Sequence, residues 1–504
     1  MFKNITANII GRCWSIISGF IFIPLYIKFL GFGSYSVISF TLIVAGIMAI
    51  LDAGLTATLA RELARQDRGN LEKLNVFRSL EKYYFIVVIL VIGIILFLSD
   101  FIANGWLKTT LFTSNELSLF LKIIGVDIGF QLLFRFYIGG LMGLEKQVEA
   151  NFYQIIWSTI RNGLVIGLIF FLPSLKGFFL WQALTSVIFA FLLKVYLSKF
   201  FKRLTKEKKV EKIEIRSITK LWKFAGGMFL ISLVASLNTQ VDKILISKLL
   251  PLESLGSYTL ASSLAMVIIS LVSPISASLL PRFTALYSIN KNEEASLLFQ
   301  NINNAVCIII FAITANLFFF SREVIWIWTG NPDLASHSAV YLKVLIFSTS
   351  ILALTMLPYD VAIANGYTKL NNILGMLSLL ITLPGYFFAI RNYGAIGAAY
   401  LLVFVQLVYA IIYYYFIGRM FLKIKNVIFF YIKQFFFPFI GSFGVVFLFS
   451  YIPSWAVSNK IALLFWIGLS FTTTILISVF VSVPKSKLQM LFNRLLNFKT
   501  FLQK

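Results

Sequence analysis

Residues 27–36, Ile-Lys-Phe-Leu-Gly-Phe-Gly-Ser-Tyr-Ser, reappear in outline at 246–259, Ile-Ser-Lys-Leu-Leu-Pro-Leu-Glu-Ser-Leu-Gly-Ser-Tyr-Thr. Each stretch reads as the exit of one apolar helix, a short loop, and a Gly-Ser-Tyr start to the next helix. Gly33 maps onto Gly256 with an offset of 223 residues, and the same offset carries Gly143-Leu144-Glu145-Lys146 onto Gly366-Tyr367-Thr368-Lys369. Two matches at one offset indicate an internal repeat, and a repeat decides the architecture before any single helix does. An even number of helices separates the matching segments. The halves therefore run parallel about an axis along the membrane normal, the plan of transporters whose halves rock about a central cavity.

The sequence around those segments is apolar throughout. Of 504 residues, 59% are hydrophobic and 13% charged, and 53 are Phe; mean hydropathy is +0.89. Such a composition excludes a water-soluble enzyme or a disordered chain. Runs long enough to cross about 30 Å of hydrocarbon recur near 9–30, 37–60, 83–101, 118–142, 152–172, 178–198, 224–249, 257–281, 301–320, 339–364, 371–390, 395–417, 431–452 and 461–483, which makes fourteen. The expected fold is an all-α polytopic membrane protein. A six-helix lobe over 1–198 and a second over 224–418 surround a central cavity, a basic linker over 199–223 joins them, and 419–504 holds two further helices, facing lipid, and a basic tail. The first run carries Arg12 and Pro24 and lacks a small-x-small cleavage site, so it reads as a retained helix and not as a signal peptide.

The charge is lopsided, with 44 Lys and Arg against 20 Asp and Glu, a net +24. Thirty of the 44 basic residues fall on the side of the two termini and nine on the other. Basic loops stay in the cytoplasm, so both termini are expected there, facing anionic lipid head groups. The remaining five, Arg12, Arg135, Arg161, Lys194 and Lys243, lie within the expected spans. Cys13, Cys307 and His337 offer no metal-ligand spacing, disulfide framework or catalytic triad. The largest loop is the lysine-rich linker and holds no catalytic cluster, which argues against a membrane enzyme such as a glycosyltransferase or polymerase.

Polar residues inside spans usually face a cavity or each other, because a charge at a helix centre costs about 2.5–3.5 kcal/mol on insertion scales. In the fourth span Asp127, Gln131 and Arg135 recur every four residues as one stripe; in the fifth, Asn151, Gln154, Ser158, Arg161 and Asn162 mark one wet face. The first span carries Arg12, Ser15 and Gly19, the seventh Asn238, Asp242 and Lys243, and the eighth a series of serines around Pro274, with Arg282 beyond it. A planar guanidinium suits phosphate, so Arg12, Arg135 and Arg161, with Lys243 and Arg282, are candidates for holding an anionic group. Arg12, Arg161 and Arg282 also lie near expected cytoplasmic ends, where snorkelling would account for them. Asp242 has Lys243 beside it as a structural partner, and Asp52 with Thr56 reads as structural. Pro24, Pro274, Pro358 and Pro384 interrupt apolar helices as kinks or hinges. Trp326 and Trp328 read as interfacial anchors.

Several motifs together resemble those of polysaccharide repeat-unit flippases, the Wzx-type O-antigen transporters. They are Asn8-Ile9-Ile10-Gly11-Arg12, Ile23-Pro24-Leu25-Tyr26, Leu51-Asp52-Ala53-Gly54-Leu55, Gly143-Leu144-Glu145-Lys146-Gln147 with Asn151, Val241-Asp242-Lys243-Ile244, and Gly394-Ala395-Ile396-Gly397-Ala398-Ala399. The resemblance spans about residues 8 to 417. That family belongs to a larger exporter superfamily with the multidrug-and-toxin (MATE) exporters and the peptidoglycan lipid II flippase. It implies transport of an undecaprenyl-diphosphate-linked oligosaccharide across the bacterial inner membrane, with membrane lipids, a polysaccharide polymerase and a chain-length regulator as partners, and no nucleic acid. Substrate binding would then fall to Arg12, Asp127, Gln131, Arg135, Gln154, Arg161, Lys243 and Arg282. By likeness to MATE exporters, Asp242 and Asp360 would bind a coupling proton or sodium ion, with no other cofactor implied. A MATE-type drug exporter needs an acid-rich cavity for cationic drugs, whereas the candidate cavity here is basic. A lipid II flippase is closer in chemistry, but Arg61 lies at the end of the second span, not at its centre.

Overall fold

The computed structural model describes residues 11, 14, 17–65, 67, 69–205, 233, 234, 236–424, 426–453 and 459–482. Arg12, linker residues 206–232 and the tail from 483 lie outside the described residues. The described chain is helical, with no strand among those residues, and packs as two compact units, Met1–Gly256 and Ser257–Lys504. Eleven helical segments are long and apolar enough to cross a membrane, with Ile17–Leu30 and Phe32–Met48 as shorter apolar helices. The protein is a multi-pass membrane protein; the expected count of fourteen spans is not reached among the described residues.

The first unit contains α1 (Ile23–Leu30), α2 (Phe32–Ala64), α3 (Asn70–Phe101), α4 (Ser114–Gly143), α5 (Gln147–Ser158), α6 (Val165–Phe171) and α7 (Leu175–Thr205), followed by a helical stretch over 236–249. One π-helical turn, Ile102–Trp106, extends α3, and another, Thr159–Leu164, joins α5 to α6. Hydropathy marks the hydrocarbon-embedded part of a helix and not its ends. That is why α3 starts at Asn70, well before the expected 83: its first turns are amphipathic and bury Leu74, Phe77 and Leu80.

α4 is the central helix of this unit, with 67% of its apolar window buried against 22% for the window of α3. A capping box starts it, with Glu116 N–H donating to Thr113 Oγ1 at 3.3 Å and Thr113 N–H donating to Glu116 Oε2 at 2.8 Å. α2 approaches α4 over small residues. Gly139 faces Thr56, and a Cβ on Gly143 would lie 2.7 Å from the Ala60 Cα. Both helices thus present small residues four apart at their contact, the pattern that lets membrane helices approach backbone to backbone.

The repeat is conformationally uneven. Gly33 and Gly256 both lie in the first turns of helices, as their shared motif predicts. Gly143 is helical, however, and the turn after α4 is made by Glu145 at φ 60°, whereas Gly366 itself takes φ 69°. The matched glycines therefore do different work: one admits a neighbouring helix, the other reverses the chain. Beside the first turn, Lys146 pairs with Glu149 at 2.7 Å, and that carboxylate holds its ammonium above the usual lysine range.

The second unit follows from α8 (Leu252–Ala265), which begins just before its boundary. It holds α9 (Val267–Ser288), α10 (Asn292–Phe319), the short α11 (Ser321–Thr329) bearing Trp326 and Trp328, α12 (Pro332–Ala364), α13 (Lys369–Tyr393), α14 (Ala395–Met420), α15 (Val427–Phe449) and α16 (Lys460–Ser482). Pro358 lies inside α12 and cannot donate to the carbonyl four residues back. That carbonyl, Leu354 O, accepts instead from Tyr414 Oη on α14 at 2.5 Å. The last two helices are more than lipid-facing additions. α15 is bonded to α10 through Asn303 and Gln434, with Gln434 Nε2 donating to Gln300 O at 3.1 Å, and to α16 through Ser442 and Ser478 at 3.0 Å. Outward faces are apolar, with Phe97 85%, Phe171 80% and Ile461 79% exposed, as suits side chains in a hydrocarbon surround.

Candidate functional site

Asp127 on α4 organises the polar interior of the first unit. Its Oδ2 accepts from Gln131 Nε2 at 2.9 Å, one turn along the same helix, and from Arg161 Nη2 at 2.8 Å; its Oδ1 accepts from Ser186 Oγ on α7 at 2.6 Å. The carboxylate side chain is 8% exposed and the Arg161 side chain 18%. Arg161 is therefore an ion-paired residue of the interior, and snorkelling to an interface does not account for it. The pair is end-on through one nitrogen. Arg161 Nε is buried with no hydrogen-bond partner, while the guanidinium carbon lies 5.2 Å from the Trp157 ring centroid, within cation–π range.

The backbone under Arg161 explains its position. The π turn Thr159–Leu164 disturbs the regular ladder, a feature frequent at functional sites, and three consecutive carbonyls within it accept from side chains on other helices. Ile160 O accepts from Trp181 Nε1 at 3.0 Å, Arg161 O from Gln182 Nε2 at 3.0 Å, and Asn162 O from Tyr26 Oη at 2.6 Å. Trp14 Nε1 donates to Thr159 Oγ1 at 2.9 Å. The residue carrying the guanidinium is thus pinned by α1 and α7.

Arg135 does not join this cluster. Eight residues on a helix of 3.6 per turn turn the side chain about 80° away from Asp127, so the expected stripe divides: Asp127 and Gln131 are buried and Arg135 is exposed. Arg135 makes no hydrogen bond or ion pair among the described residues; it is an electrostatic neighbour of Asp52 and Tyr84. Asp52 accepts from Thr56 Oγ1 and lies against the Tyr84 hydroxyl, which is also 3.0 Å from Leu132 O. Asp52 thus ties α2 to α3 and α4, in keeping with a structural role.

Lys243 Nζ is 3.4 Å from both Asp242 carboxylate oxygens and 3.0 Å from Thr239 O, so its charge is spent locally. Gln154 is half-buried on α5. In the second unit Arg282 is exposed and makes no hydrogen bond or ion pair among the described residues. Asp360, two residues past Pro358, is buried and accepts from Ser276 Oγ on α9 at 2.6 Å. Sequence reasoning missed Ser186, Gln182, Trp181, Tyr26 and Trp157. The signal lay in Trp181-Gln182-Ala183-Leu184-Thr185-Ser186: polar residues at i, i+3 and i+4 within an apolar run define a polar face.

With a guanidinium, neutral hydroxyls and amides, and aromatic rings gathered in one unit, comparison with known proteins becomes informative. The profile of the family described as polysaccharide biosynthesis protein matches residues 1–287, more than half of the chain. The chain belongs to the polysaccharide biosynthesis protein family. The profile of the MatE family matches residues 227–388 of this family member. A Shigella flexneri protein described as a candidate O-antigen transporter is 22% identical over 376 residues, covering 73% of this chain and 85% of its own. Among solved structures, the lipid II flippase MurJ in an inward closed conformation aligns with TM-score 0.71 at 14% identity, covering 96% of this chain and 98% of its own. An inward-facing multidrug resistance MATE transporter of the MOP superfamily aligns with TM-score 0.63 at 15% identity, covering 80% and 93%. The polysaccharide biosynthesis protein described here therefore has the fold of these membrane transporters.

Proposed function

We propose that this protein carries an undecaprenyl-diphosphate-linked oligosaccharide, a repeat unit of O-antigen or another surface polysaccharide, across the bacterial inner membrane by alternating access. The observation that carries this reading is the partly exposed Arg161, paired with Asp127 through one nitrogen only and otherwise set among neutral hydroxyl, amide and aromatic groups. A guanidinium recognises a diphosphate, and hydroxyls, amides and rings recognise sugars. Arg135, exposed and off this cluster, is a separate candidate cation for the cargo. The family match and the Shigella flexneri relative support the class of cargo. The thirty-to-nine distribution of basic residues supports an inner-membrane orientation with cytoplasmic termini, and a polymerase and a chain-length regulator are the expected partners downstream.

Deleting the protein from its native cell should leave lipid-linked repeat units on the cytoplasmic leaflet, read out by their inaccessibility to a periplasmic glycan-modifying enzyme. Normal arrival at the outer face, with no related transporter present, would overturn the proposal.

Coupling to a proton or sodium gradient is assigned to Asp360, a buried carboxylate with one neutral donor. Asp242 is the lesser candidate, since it pairs with Lys243. Asp360→Asn should lower transport in vesicles at least about tenfold and remove its response to the coupling gradient. Transport that still falls to the same degree as wild type when each gradient is collapsed separately would rule this role out.

A further inference from the structure

The surroundings of the ion pair on α4 are asymmetric. Asp127 has a neutral donor on each oxygen, Ser186 at 2.6 Å and Gln131 at 2.9 Å, so it keeps two hydrogen bonds when Arg161 leaves. Arg161 has one hydrogen bond from its guanidinium, to Asp127, and a buried Nε with no partner. The carboxylate is thus the fixed member and the guanidinium the transferable one. Membranes are full of lipids with phosphodiester head groups, each carrying one negative charge. Such a head group offers Arg161 nothing in charge that the tethered, preorganised carboxylate does not already supply. A diphosphate linking a lipid to a sugar carries two negative charges and more acceptor oxygens, enough to take the guanidinium and fill Nε as well.

We infer that Asp127 is a specificity-determining residue that sets a charge threshold: it withholds Arg161 from singly charged lipids and yields it to a diphosphate. This rests on the transport reading above, and replaces the expectation that Asp127 itself contacts cargo.

The test uses the full chain in nanodiscs of neutral lipid and two soluble probes with one tail, farnesyl methyl phosphate with one charge and farnesyl methyl diphosphate with two. Wild type should bind the diphosphate at least about tenfold more tightly. Asp127→Asn keeps the shape of the side chain and removes its charge. It should collapse that preference, chiefly by tightening the monophosphate probe about tenfold. An unchanged preference in Asp127→Asn overturns the inference and leaves the transport reading intact. Failure of wild type to bind either probe overturns the transport reading itself; equal binding of both by wild type overturns the threshold. If Asp127→Asn does not fold, the tryptophan emission of wild type decides, taken as a difference from Trp157→Phe. The diphosphate should draw the guanidinium off Trp157 and change that signal while the monophosphate leaves it unaltered, and equal responses refute the threshold.

Discussion

Arg161→Ala is expected to lower affinity for a polyprenyl diphosphate roughly 10- to 100-fold and to abolish measurable transport. The basis is the loss of charge-assisted hydrogen bonds, about 1.5–3 kcal/mol, at tenfold per 1.4 kcal/mol. A stability cost accompanies it, because removing one partner of a buried ion pair leaves the other uncompensated, commonly about 3–5 kcal/mol. Here the cost should fall at the low end, since Ser186 and Gln131 remain bonded to Asp127. Binding and unfolding temperature separate the two effects. Arg161→Lys, which keeps the charge but not the fork, should recover stability more fully than affinity. Wild-type affinity in Arg161→Ala would show that the guanidinium does not touch the cargo.

Gly143→Val should prevent accumulation of folded protein. A Cβ at this position would lie within 3.0 Å of three backbone atoms of Ala60, and backbone cannot rotate aside as a side chain can. Separating α2 from α4 would also disturb the link from Asp52 through the Tyr84 hydroxyl to Leu132 O on α4. Overpacking typically costs about 1–3 kcal/mol; a backbone clash belongs at or above the upper end. The checks are yield, monodisperse elution and unfolding temperature in detergent. Gly139→Ala, which would meet the Thr56 side chain and has only one backbone atom nearby, a carbonyl at 3.5 Å, should be milder. Equal behaviour of the two variants would contradict close backbone approach as the cause.

The membrane class was legible because apolar length is a local property, and the family because its motifs are local too. What a neighbouring helix does to a residue is not local. Asp127 and Gln131 were found together, being one turn apart, but Arg135 was grouped with them by counting in fours, and the drift of the helix placed it elsewhere. Arg161 was a candidate by charge, yet nothing nearby in sequence indicated that Asp127, 34 residues earlier, would hold it. Gly143 belongs to a recognisable motif, but only the packed helices show that it lies against the Ala60 backbone. The π turn left no mark in the apolar composition, because one extra residue does not change it.

That extra residue has a consequence for how such a protein can arise. A π turn differs from an α turn by a single inserted position, so no new motif is needed to make it. One added codon in an ordinary membrane helix puts every later side chain out of phase and loosens a few carbonyls. Those carbonyls become sites that other segments of the chain can hold: Trp181, Gln182 and Tyr26 each hold one. The residue that bears the guanidinium is thereby given a fixed address, and the proposed cargo chemistry can rest on one small insertion.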